Sequence, residues 1–272
     1  MKRRNKFIVA IASVLMVVTL IGALSACGGN GKTKLMITGS TSVTPLMKEL
    51  AAAYEETHTD VEILITGVGS SQGVADAISG ACDIGMISRA VKSNEREQLD
   101  DIKLANDGIA LIVNKSSTLT NVTSQQVYDL YASGTAIGDI TIPINRTVGS
   151  GTRDAFNELI KNEAGNSLKE LASLQGDVLD QTGAVIAAVA KADNKMGYIS
   201  LGSLNDEVKA LSLDGVDATV ENILNGSYGL QRPFHLVWNK ANGLSDVAKD
   251  FIEFCQSEEG KRIITEFGCI VG

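Results

Sequence analysis

From residue 33 onward, short apolar strands alternate with segments of helical spacing, and the joints between them are rich in Gly, Ser and Thr. Residues 34–38 read as a strand stopped by Gly39, and residues 45–54 as a helix on the spacing Leu46, Leu50, Tyr54. Residues 61–66 form the next strand, 73–79 a short helix, and 83–88 and 109–114 further strands. A β-α-β-α-β rhythm of this kind requires an α/β fold with a mostly parallel sheet and helices on its faces.

After Asn114 the pattern restarts. A helix opens at Thr123 or Ser124, followed by a strand at 140–145, a helix at 153–161, a helix at 184–191 and a strand at 197–200. Residues 233–238 read as a strand that returns the chain, and 244–254 and 258–267 as terminal helices. We therefore expect two α/β lobes: residues 33–114 with 233–272, and residues 115–232. The crossovers lie near Asn114 and Arg232, and the cleft between the lobes is the natural ligand site. Residues 92–101, dense in charge, read as a solvated helix.

Three turns at strand-to-helix joints carry the chemistry: Gly39-Ser-Thr-Ser-Val-Thr-Pro45, Gly67-Val-Gly-Ser-Ser-Gln-Gly73 and Asn145-Arg-Thr-Val-Gly-Ser-Gly-Thr-Arg153. Each puts hydroxyls and pliant backbone at a helix N-terminus, where free N–H groups and the positive end of the dipole favour an anion. One such turn is explained by capping alone. Three of them, one with Arg146 four residues before Ser150, point to a tetrahedral oxyanion. The opening of the apolar helix, Gln181-Thr182-Gly183, is placed to edge the same cleft.

The N-terminus directs the chain outward. Lys2, Arg3, Arg4 and Lys6 precede an apolar run over residues 7–24, as in a secretory signal. Leu24-Ser25-Ala26-Cys27 resembles the lipobox of bacterial lipoproteins, which implies lipid attachment at Cys27 and cleavage before it. The run of about 18 residues is also just long enough to span a bilayer, but Gly28-Gly29-Asn30-Gly31 reads as a tether rather than a stop-transfer flank. The expected organisation is a signal at 1–26 and a lipidated tether at 27–32. Removing four cations and no acids from a formal charge of −8 leaves −12. So acidic a domain excludes nucleic acid as a partner, and its anion must be held by local dipoles and hydrogen bonds. Cys82, Cys255 and Cys269 remain, with no CxxC or Cys/His cluster, so neither a metal nor another cofactor is expected. Cys255 and Cys269 flank the last helices and either pair as a disulfide or stay buried thiols.

Taken together, these segments resemble the phosphate-binding lipoproteins of ABC phosphate importers over nearly the whole mature length. The loop G-x-T-x-x-x-P is matched from Gly39 to Pro45, and G-x-G-S-x-x-G from Gly67 to Gly73. The strand end D-[FI]-G is matched at Asp83-Ile-Gly85, and R-x-x-G-S-G-T at Arg146-Thr-Val-Gly-Ser150-Gly151-Thr152. Gly197-Tyr198 and the Phe251–Gly260 ending fit the same family. The resemblance implies a two-lobed periplasmic-binding-protein-like fold (type II). It implies capture of inorganic phosphate by a monomer that is not an enzyme, with delivery to the permease and ATPase subunits of an ABC importer on the outer face of the cell membrane. Site roles carry over to Thr41, Ser42, Ser70, Ser88, Arg146, Ser150, Gly151 and Thr152.

One departure bears on selectivity. Many family members carry Asp where this chain has Ser88, and that carboxylate accepts the proton of hydrogen phosphate and repels sulfate. Arg89 and Asp107 are possible further contacts, with Asp107 as the substitute acceptor. Binding of sulfate, molybdate or tungstate on the same fold is the main alternative. Two weaker patterns remain. Gly69-Ser-Ser71-Gln-Gly73 matches a G-x-S-x-G nucleophile elbow, for which His235 would be the base and His58 reads as solvated. Residues 26–33 graze a P-loop without its first glycine.

Overall fold

The computed structural model describes residues 31–271. The signal at 1–26 and Cys27 lie outside the described residues. Among the described residues no helix is long and apolar enough to cross a membrane.

The expected alternation is present. Strand β1 (Thr33–Gly39) leads to α1 (Thr44–Thr57), β2 (Val61–Gly67), α2 (Ser70–Ser79) and β3 (Ile84–Ile87). A long β4 (Leu99–Asn114) and a two-residue β5 (Asn121–Val122) follow. Then come α3 (Ser124–Ser133), β6 (Ile142–Arg146), α4 (Gly151–Leu159), β7 (Asp177–Leu179), α5 (Thr182–Ala190) and β8 (Lys195–Ser200). Short β9 (Val208–Ala210), β10 (Ser212–Leu213) and α6 (Val220–Leu224) precede β11 (Gln231–Asn239), α7 (Asp246–Gln256), α8 (Glu258–Glu266) and β12 (Ile270–Val271). Local chemistry explains several boundaries. Thr123 and Gln126 close a capping box at the start of α3, and Gly134 ends that helix in the left-handed conformation.

One mixed sheet runs β2-β1-β3-β11-β4-β8-β6-β7. Pairings of β1 with β3 and of β6 with β7 and β8 are parallel, whereas β11 is antiparallel to both β3 and β4. The two main cores pack against different stretches of the sheet, one along β1, β3 and β11 and the other along the second half of β4 and β8. The first gathers Leu35, Ile37, Leu46, Ile84, Phe234 and Phe251, and the second Ile109, Leu111, Tyr131, Phe156, Tyr198 and Leu230. In the second, the Phe156 ring stacks on Tyr198 at 3.9 Å, which fixes α4 against β8.

Two expectations change. Residues 92–101 are not a helix: turns occupy 93–98, and β4 starts at Leu99. The cause is Glu95, which turns inward to a buried Arg89 while Leu99 enters the ladder with Asn239. The strand also runs past the expected crossover. Its residues 99–108 pair with β11, but 109–113 pair with β8, so Ile109, Leu111 and Val113 pack in the second core. The switch of partner falls at Gly108–Ile109, opposite Gln231, and not at Asn114. Cys82, Cys255 and Cys269 are free and buried, so the Cys255–Cys269 pairing is not formed. Burial pushes the Cys255 and Cys269 thiols well up.

Candidate functional site

Four helix N-termini contribute to one buried cluster of hydroxyls around Arg146. Three of them, on α1, α2 and α5, carry no side-chain cap, so their first N–H groups have no partner from a capping side chain. At the fourth, Ser150 caps α4 by accepting from the Arg153 N–H.

Arg146 ends β6, and its N–H donates to the Tyr198 hydroxyl at 3.1 Å. Its Nη2 donates to Thr41 Oγ1 at 2.8 Å and to the Asp180 carbonyl at 2.6 Å, and Nη1 reaches Thr182 Oγ1 at 3.4 Å. Its Nε has no partner, and among the described residues it forms no ion pair. The side chain is almost wholly buried, and desolvation draws the guanidinium down to about 10, with the charge of Arg232 adding to the effect. It is still a cation at neutral pH. A buried cation whose direct partners are hydroxyls and one carbonyl, with the Asp180 charge acting only from beyond ion-pair distance, is electrostatically incomplete.

The hydroxyls link the loops. Ser42 Oγ lies 2.9 Å from Thr152 Oγ1 and 3.3 Å from Thr182 Oγ1, and Thr41 Oγ1 is 3.3 Å from Thr182 Oγ1. Ser40 Oγ donates to Ser88 Oγ at 2.8 Å, Ser70 Oγ is 3.3 Å from Ser88 Oγ, and the Ser88 N–H donates to Ser70 Oγ. Gly151 must lack a side chain: a Cβ there would collide with Ser70 Oγ and lie 2.7 Å from Ser88 Oγ. Gly149, at φ +94°, turns its carbonyl to accept from the Ser71 N–H at 3.0 Å, which joins the second loop to the third. A cavity of about 400 Å³ opens beside the cluster, lined by Gly67, Gly69, Ser71, Thr147, Gly149 and Asp180.

The cluster thus brings together Thr41, Ser42, Ser70, Ser88, Arg146, Gly151 and Thr152, whereas the Ser150 hydroxyl is turned to the Arg153 N–H as the cap of α4. The two additional candidates, Arg89 and Asp107, are bonded elsewhere. Arg89 forks onto Glu95 at 2.7 and 2.8 Å and lies 3.3 Å from Asp154 Oδ2, so its charge is spent on protein partners. Asp107 is completely buried against Arg232 (3.0 Å) and accepts from the Ser200 hydroxyl (2.9 Å). Burial raises its carboxyl, and Arg232 and Ser200 oppose that rise. It belongs to the strand switch at Gly108, not to the hydroxyl cluster. Thr182, expected only at an edge, stands in the centre of the network. Ser40 and the Asp180 carbonyl went unforeseen; Ser40 was legible as a third hydroxyl of the first loop, while a backbone carbonyl leaves no mark in a sequence. Among the described residues no group of His, Cys, Asp and Glu is arranged to hold a metal. Neither histidine touches Ser71: His235 bonds Asp101 at 2.7 Å, and His58 bonds Thr57 and the Tyr54 carbonyl.

This arrangement has relatives. A family model for the PBP superfamily domain matches residues 25–259. The phosphate-binding protein PstS 2 of Streptococcus pneumoniae (serotype 4) is 41% identical over 133 residues, 48% of this chain and 45% of its own length. The aligned part thus spans about half the length of the first curated relatives. The phosphate-binding protein PstS of Bacillus subtilis aligns more weakly but fully, at 26% identity over 98% of this chain and 94% of its own. Among solved structures, a putative phosphate ABC transporter substrate-binding protein with bound phosphate from Clostridium perfringens has TM-score 0.82 and 37% identity, covering 88% of this chain and all of that one. An ABC-type phosphate transport receptor from Vibrio cholerae has TM-score 0.69 and 31% identity over the same shares.

Proposed function

This chain belongs to the PBP superfamily, among its PstS-type phosphate-binding proteins, and from that premise we propose that it captures inorganic phosphate outside the cell and hands it to an ABC importer. The observation that carries the reading is Arg146. Its buried guanidinium has a free Nε, no carboxylate partner among the described residues, and a shell of hydroxyls and uncapped helix starts. A dianion completes that shell. Each hydrogen bond to a charged partner contributes about 1.5–3 kcal/mol net, so a handful suffices to leave the surplus of about 8 kcal/mol that micromolar binding needs.

In this reading Thr41, Ser42, Ser70, Thr152 and Thr182 donate hydroxyls, and the Gly151 and Thr152 N–H groups at the start of α4 donate from the backbone. Arg146 spans two oxygens. Ser88 Oγ is the acceptor for the proton of hydrogen phosphate, since Asp107 is engaged with Arg232. A hydroxyl repels sulfate less than a carboxylate does, so the preference for phosphate is narrower than an aspartate would give. Two lobes close on the ion, flexing where β4 changes partner at Gly108 and where β11 begins at Gln231. The chain acts as a monomer, tethered through a lipid on Cys27 to the membrane that holds the permease and ATPase subunits, and it catalyses no reaction.

Titration calorimetry of residues 28–272 with phosphate, sulfate and molybdate tests the proposal. Phosphate binds with the largest affinity if it is correct; equal or tighter binding of sulfate or molybdate overturns it.

A further inference from the structure

A second cavity, of about 680 Å³, lies between the segment after β3, the outer face of α4, the turn at Leu168–Glu170 and the start of β11. Its size is that of a small-molecule site, and none of the hydroxyl cluster lines it.

The polar groups in its wall are incompletely satisfied. Arg89 and Arg232 are both more than nine-tenths buried, and the Nε–H of each lacks an acceptor. Arg89 Nε does sit 3.3 Å from Asp154 Oδ2, but the pair is misaligned for a hydrogen bond, so neither atom is satisfied by the other. Asn157 Oδ1 is likewise buried without a donor. Glu95 and Asp107 balance the two arginines from outside the cavity, and Lys92 and Lys169 pair with Asp154 and Glu158. Arg153 also lines the wall and has no carboxylate partner among the described residues. The lining therefore carries one uncompensated cation, Arg153, on a chain that is acidic as a whole, while the Arg89 and Arg232 Nε–H groups and Asn157 Oδ1 are sealed inside the wall and do not open into the cavity. The rest of the wall is apolar: Val91, Leu159, Leu168, Leu171, Leu174 and Pro233.

We propose that this cavity is a second ligand site, which takes a small organic anion with an apolar body. The anionic head pairs with Arg153, and the leucine wall covers the body. Inorganic phosphate, with no apolar surface, gains nothing from that wall. The site is independent of the proposal for the hydroxyl cluster and stands or falls separately.

The test uses the phosphate-saturated protein and the fluorescence of 8-anilinonaphthalene-1-sulfonate, with neutral N-phenyl-1-naphthylamine as the uncharged comparison. The expected result is one saturable site for the sulfonate. Ser173→Trp, at an exposed lining position, weakens it at least tenfold by filling the cavity while an unchanged circular dichroism spectrum and melting temperature confirm the fold. Arg153→Gln weakens the sulfonate about fivefold and leaves the neutral dye unchanged. Absence of saturable binding, sulfonate binding indifferent to Ser173→Trp, or equal affinity for the two dyes would each overturn the proposal.

Discussion

Two buried arginines in this molecule sit in contrasting surroundings. Arg232, at the strand switch, meets Asp107 at 3.0 Å and lies over the Phe234 ring at 5.3 Å, and its Nη1 reaches the Ser88 carbonyl at 3.4 Å. Arg146, in the hydroxyl cluster, meets no carboxylate among the described residues. Both are desolvated, and both guanidinium groups are lowered by burial. One has its counter-charge built into the chain; the other has no ion-pair partner among the described residues, and an anion from solution is the one proposed for it. A buried charge is read as structure or as a binding site according to whether its partner is encoded.

Substitution separates the two. Arg146→Ala removes about two charge-assisted bonds to the ion, about 3–6 kcal/mol, so phosphate affinity falls by two orders of magnitude or more in calorimetry. The ligand-free protein keeps or raises its melting temperature, because an unbalanced buried cation is gone. Arg232→Met has the opposite signature. It strands Asp107 and costs about 3–5 kcal/mol of stability in denaturant unfolding, and adding Asp107→Leu restores much of the loss. If Arg146→Ala proved the more destabilising of the two, the contrast would collapse.

Smaller effects sharpen it. Thr182→Val takes one hydroxyl from the anion and costs about 1.5–3 kcal/mol, roughly a ten- to hundredfold loss of phosphate affinity with stability nearly unchanged. Glu95→Gln tests the third buried arginine, Arg89. Burial opposes the charge of Glu95, but the Arg89 fork and the Lys92 N–H outweigh it and hold the carboxyl below its usual 4.5. The folded state thus binds this proton less readily than the unfolded state. The stabilisation is complete above pH 4.5 and is lost as pH falls through the folded value. The variant is about 1 kcal/mol less stable at pH 7, and the difference narrows as acid unfolding is followed downward by circular dichroism.

Much of this was legible before any coordinates. Apolar spacing located most strands and helices, and the three loops named seven candidate site residues, with Ser88 added from the end of the strand at 83–88. What failed did so for physical reasons. Asp100, Asp101 and Lys103 disguised the first half of β4, because charge on neighbouring positions breaks the apolar alternation, while the ladder to β11 and the burial of Leu99 and Leu104 in separate cores hold the strand. Arg89 and Asp107 were judged by their place beside the loops, yet their roles depend on Glu95 and Arg232, and Arg232 lies 125 residues beyond Asp107. Thr182 was undervalued since a lone hydroxyl at a helix start is usually a cap; here it is not one. The selectivity question stays with Ser88, whose hydroxyl sits among Ser40 and Ser70 where a carboxylate was the expectation from the family.

The pairing of β4 with β11 also sets an order of events. The second core is drawn from residues 109–230, one uninterrupted stretch, whereas the first needs Phe234, Phe251 and Ile264 to close over Leu35 and Leu46. Contacts so far apart along the chain form late, after the loop between them has been ordered. As the polypeptide emerges from its N-terminus, residues 33–107 wait with an open apolar face until Phe234, Phe251 and Ile264 are free, while residues 109–230 can already have folded. The early-emerging part is therefore the one exposed to proteases and to sticking, and its protection arrives last.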